Sequence, residues 1–214
     1  METLAQYTKW AGAALIAAAV LFVLAFFAHG PDNDPASILS PSAFPAHFMQ
    51  LTGYALMTFG WPAMHLMQAK RDDGFSLVAV ILIFMSCIAL VGMAFHETYY
   101  LPIIAHDAPA IIPKLRDGLT ILTNIVTTMA LSGLFLFSCN ALFRKSLPLY
   151  ASLPIAVGSF MAALGFVAVP GPLAIIGMLL FAAGQVATGA YAWTKNSTAK
   201  PAAYPDLTSL RKTP

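Results

Sequence analysis

The chain has 214 residues, of which 59% are hydrophobic and 9% charged, with a mean hydropathy of +0.76. Such values exclude an ordinary soluble domain and point to a protein of the lipid bilayer. Eleven Lys and Arg against nine Asp and Glu leave a net charge of +2, too small and too scattered along the chain for a nucleic-acid partner.

A bilayer core of about 30 Å needs roughly 20 apolar residues per helix. Six stretches meet that requirement, at about 10–28, 46–68, 76–97, 118–142, 149–169 and 172–193. The expected fold is therefore all-α, a polytopic six-transmembrane-helix bundle over residues 1–194, followed by a flexible cytoplasmic tail at 195–214 that is polar and broken by proline. The first stretch resembles a signal peptide, but cleavage after Ala28 puts Phe26 at the minus-three position, so it is read as a retained helix. The two cysteines, Cys87 and Cys139, sit inside apolar runs and read as packing residues.

Basic residues alternate by connection. Lys9, then Lys70 with Arg71, then Arg144 with Lys145, then Lys195, Lys200, Arg211 and Lys212 share one side, while Lys114 and Arg116 fall on the other. By the positive-inside rule this predicts a protein integral to the plasma (inner) membrane with both termini cytoplasmic, and loops 29–45, 98–117 and 169–171 facing outward.

The first and last hairpins echo each other. Each first helix stops at Gly-Pro, and each second helix carries two glycines seven apart, Gly53 with Gly60 and Gly177 with Gly184. Seven residues is nearly two turns, so each pair lies on one face and admits a close neighbour. The echo suggests helical hairpin repeats, although small residues recur in many membrane helices and the middle hairpin shows the pattern poorly.

The second run places His47, Gln50, Tyr54, Met57, Trp61, Met64, His65 and Gln68 on a single helical face. Hydrocarbon disfavours His and Gln, so this face should turn inward. The fourth run offers Thr120, Thr123, Asn124, Thr127, Thr128 and Ser132, and the sixth offers Gln185 and Thr188. Ser and Thr in such helices commonly serve as packing groups; Asn124 is harder to dismiss. The expected cavity-lining set is Gln50, Tyr54, Trp61, His65, Asn124 and Gln185.

The predicted topology gathers His29, His47, His96, Glu97 and His106 with Asp107 at the outer face. Imidazole and carboxylate suit transition metals, and two facing imidazoles suit a b-type haem, so His47, His96, Glu97 and His106 form the candidate metal set. The competing reading is interfacial: His and Tyr are comfortable at headgroup level. His96-Glu97-Thr98-Tyr99-Tyr100 lacks the second histidine of HExxH, which argues against a zinc protease. The segment 98–117, with three prolines among Ile and Leu, reads as a lid over an outer mouth.

Two functions compete. The first is a non-catalytic transporter-like or accessory module with an outward-facing polar vestibule, packed against membrane-protein partners or further copies of itself. The alternative is a membrane redox protein that binds a metal or haem at the outer histidines. The sequence carries no nucleophile-and-base set or P-loop, which turns the expectation away from an enzyme.

Overall fold

The computed structural model describes residues 2–29, 35–68, 74–167 and 171–197. Among these every regular element is helical: α1 (Glu2–Ala28), α2 (Pro35–Ile38), α3 (Ala43–Gln68), α4 (Gly74–Phe95), a π-helical turn (His96–Tyr100), α5 (Leu101–Asp107), a 3-10 turn (Pro109–Ile111), α6 (Ile112–Arg144), α7 (Leu149–Val167) and α8 (Pro172–Ser197). An apolar chain in lipid must satisfy its backbone polar groups within itself, and helices do so segment by segment. The six long helices pack as a closed ring, α1 on α3, α3 on α4, α4 on α6, α6 on α7, α7 on α8 and α8 back on α1.

Five helical segments are long and apolar enough to cross a membrane: Thr3–Ala28, Gly74–Asp107, Pro109–Arg144, Leu149–Phe166 and Pro172–Lys195. The chain is a helical membrane protein. The sixth long helix, α3, has 26 residues but falls outside that set because its polar stripe dilutes its hydropathy. Its own packing accounts for the stripe: His47, Met57, Trp61 and Met64 are buried.

Glycines let the backbones approach. A Cβ on Gly12 would lie 2.5 Å from the Gly189 carbonyl oxygen, so α1 and α8 touch main chain to main chain. In α3, Gly53 faces Phe22 and Gly60 faces Leu15, both on α1; in α8, Gly177 faces Gly158 and Ala162 while Gly184 faces Ile155, all on α7. Each glycine pair thus receives the first helix of its own hairpin. Towards the end where α3 finishes, the ring is filled by Trp61 of α3 against Phe137 of α6, edge to face at 5.4 Å. Gln185 of α8 is buried there and its Nε2 donates to the Leu15 carbonyl at 3.0 Å.

The segment expected as an outer loop at 98–117 is helical instead. The chain runs on from α4 through the π turn and α5, and α6 begins at Ile112, before the apolar run itself. Pro113 sits in the first turn of α6, where its missing N–H costs nothing. Leu101, Ala105 and Ile112 bury against Ile38 of α2 as a small separate core, so the apolar residues of this segment form a packed helical cap. The predicted tail lies outside the described residues beyond Ser197, and 195–197 belongs to α8. Of the basic residues used for orientation, Lys70, Arg71, Lys200, Arg211 and Lys212 also lie outside them.

Candidate functional site

Four polar side chains meet where α1 ends, α3 begins, α4 passes into the π turn and α6 begins. The π turn hydrogen-bonds across five residues, with the Leu101 N–H reaching back to the His96 carbonyl, and the buried Thr98 hydroxyl donates to the Ala94 carbonyl at 2.6 Å. Wide turns of this kind are frequent at functional sites. Here the turn carries Glu97.

Glu97 Oε1 accepts from Arg116 Nη1 at 3.0 Å, and Oε2 lies 3.6 Å from His47 Nδ1. The side chains of Arg116 and Glu97 are only 14% and 15% exposed and that of His47 2%. His29, one residue past α1, meets the His47 ring edge to face, with centroids 4.7 Å apart. Arginine stays charged, so it holds the Glu97 carboxylate in an otherwise apolar setting.

This corner opens on a cavity of about 470 Å3. All six long helices contribute to its walls, which are largely apolar: Phe22 and Phe26 from α1, Met57 from α3, Leu90 from α4, Leu134 from α6, Phe166 from α7, Met178 and Phe181 from α8. Polar groups are few, chiefly His29, Gln50, Tyr54, Thr123 and Thr127 in addition to Glu97 and Arg116. Phe27, Ile175 and Leu179 line the cavity and are among the exposed large apolar residues.

The structure brings His47 and Glu97 of the proposed metal set together and sets His96 and His106 apart. Neighbours on a helical turn point about 100° apart, and with Glu97 directed at Arg116 and His47, the His96 ring stacks on Tyr100 at 6.0 Å. His106 is 79% exposed and pairs with Asp107 at 2.6 Å. Among the described residues no group of three His, Cys, Asp or Glu side chains is arranged to hold a metal ion.

Of the residues expected to line a cavity, Gln50 and Tyr54 do so. The other four are placed differently. Trp61 is buried against Phe137, and Gln185 is taken up by the Leu15 carbonyl that the close α1–α8 contact brings within reach. His65 Nδ1 is 2.9 Å from Ser76 Oγ of α4. Asn124 is exposed: Thr123 and Thr127 are the α6 residues that face the cavity, and Asn124 is turned about 100° away from Thr123.

Sequence reasoning missed Arg116 as a site residue. The available signal was its position, since it lies just ahead of an apolar run on the side of the membrane that carries almost no other basic residue. No protein-family model, no curated protein and no solved structure matches this chain.

Proposed function

We propose that this protein is a non-catalytic, multi-pass membrane module that holds a lipid-like amphiphile between its helices. The observation that carries the reading is the shape and chemistry of the cavity: apolar walls around space for a hydrocarbon chain, with one polar corner of Glu97, Arg116 and His29, backed by the buried His47, to meet a headgroup. Binding sites for small molecules combine a mostly apolar lining with a few placed polar groups. Phe27, Ile175 and Leu179, exposed apolar residues of the cavity wall, support a route from the bilayer. The ligand enters sideways, tail first along these residues, and its headgroup is held by the corner.

In this reading α3 crosses the membrane with the other five long helices. Its length, about 39 Å at the standard rise, and its packing on both α1 and α4 support that. Lys9, Arg144, Lys145 and Lys195 mark the cytoplasmic end, and the cavity faces the outside of an inner membrane. Topology reporters fused at Ala108 and at Ser146 are expected to report opposite sides; matching sides would remove the orientation.

Ligand binding is tested by purifying the full chain from membranes, extracting it with organic solvent and identifying copurifying lipids by mass spectrometry. The wild type should carry a stoichiometric amphiphile. Thr127→Trp, which fills the cavity, should lose it, while Val157→Trp on the exposed face of α7 should retain it. Equal lipid content in both variants overturns the proposal. A purified protein with a haem spectrum or bound transition metal would favour the redox reading instead.

A further inference from the structure

Every long helix but one turns apolar residues outward at mid-span. The exposed positions are Val20 and Leu24 on α1, Ala55 and Phe59 on α3, Ile81, Met85 and Ile88 on α4, Val157 and Phe160 on α7, and Leu179 and Val186 on α8. On α6 the exposed face differs. Asp117, Thr120, Asn124 and Ser132 are exposed there beside Ile121, Ile125 and Met129. This helix is also the least covered of the five apolar ones: 28% of its most apolar window is buried, against 39–44% in the others.

Asp117, Ile121, Asn124, Thr128 and Ser132 follow one another in steps of four, three, four and four, which makes a single stripe down the helix. Lys114 is exposed one turn above it. Among the described residues, no side-chain hydrogen bond or ion pair reaches Lys114, Asp117, Asn124 or Ser132. Asn124 lies two turns inside the charged end of α6, about 12 Å below Arg116, where an amide facing hydrocarbon is costly.

We infer that this stripe of α6 is the contact between two copies of the chain, packed as a parallel pair. Copies inserted in one membrane share an orientation, so a two-fold axis along the membrane normal sets each residue of α6 opposite its own counterpart at equal depth. Each exposed group then meets what it needs. The Asn124 amide both donates and accepts, so two such amides satisfy each other. Lys114 of one copy meets Asp117 of the other, and the pairing is reciprocal. Thr128 and Ser132, small residues four apart, allow the helices to come close at that level. The α6 residues that line the cavity, Thr123 and Thr127, lie about 100° around the helix from Asn124 and Thr128, so the stripe itself is not part of the cavity wall.

The test is disulfide cross-linking of the full chain in native membranes. With Cys87 and Cys139 replaced by Ala, single cysteines are introduced as Thr128→Cys and Ser132→Cys, with Leu24→Cys on α1 and Val157→Cys on α7 as controls. Oxidation should give a dimer band for the α6 positions and none for the controls. In the Ser132→Cys background, Asn124→Leu should lower the dimer fraction by about fivefold, in line with polar contacts between membrane helices. Lys114→Asp or Asp117→Lys alone should lower it too, and the two together should restore it. Equal cross-linking at Leu24 or Val157, capture only of a species other than a second copy, or failure of the double charge exchange to restore the dimer would each overturn the inference. Thermal unfolding in parallel separates loss of pairing from loss of fold.

Discussion

Replacing Arg116 with Ala is expected to destabilise the protein by about 3 kcal/mol, the scale for breaking a buried ion pair on one side only. Arg116 donates to Glu97 at 3.0 Å where both side chains are some 85% covered, and removing it strands a carboxylate beside the aromatic wall of the cavity. The double variant Glu97→Gln with Arg116→Leu should unfold later than Arg116→Ala, because no uncompensated charge remains. Unfolding midpoints in one detergent at one pH decide the matter. A double variant less stable than the single one would mean that the pair contributes net stability and that the corner is structural.

The second large effect lies in the α7–α8 contact. A Cβ on Gly158 would fall on the backbone nitrogen of Phe181 and lie 2.7 Å from the Gly177 carbonyl oxygen. Gly158→Leu must therefore separate two helices along their length, and it should cost more than the 1–3 kcal/mol or so usual for overpacking, since main chain cannot move aside as a side chain can. The expected outcome is loss of monodisperse protein on size exclusion, or a midpoint lowered by 10 °C or more. Gly92→Ala is the matched control: open space surrounds that position on α4, and Ala should be neutral or stabilising by up to about 1 kcal/mol.

Much of the helical architecture is legible in the sequence because lipid imposes a simple rule: four of the six apolar runs lie within one long helix, the run 76–97 passes from α4 into the π turn, and the run 149–169 lies in α7 as far as the described residues reach. Their ends are less legible. Helices continue beyond the hydrocarbon, as α1 does to Glu2 and α6 to Ile112, and hydropathy reports only the part that lipid demands. The cap was hidden for a related reason: prolines at 102, 109 and 113 suggest a loop, yet the structure places each of them in the first turn of a short or long helix, where proline is tolerated.

The site was half legible. His47 and Glu97 follow from antiparallel neighbours reaching similar depth, and the structure sets them 3.6 Å apart. His96 does not join them because consecutive residues of a turn diverge, a constraint that depth alone ignores. Arg116 is not legible as a site residue, because its place in the sequence gives its charge a side of the membrane but no partner. Asn124 was read inward on polarity alone; which side of α6 faces the cavity depends on the tilt of its neighbours, and no pattern within one helix reveals that.

The closed ring bears on the order in which the protein can be made. Each long helix packs on the one synthesised just before it, so assembly proceeds by local steps until α8, whose Gln185 must find the Leu15 carbonyl 170 residues away. That closure of the ring comes last. Because α1 and α8 both wall the cavity, a chain folded only as far as α7 has an open groove in its place. The pocket comes into being with the last helix, and nothing can be enclosed in it before that step.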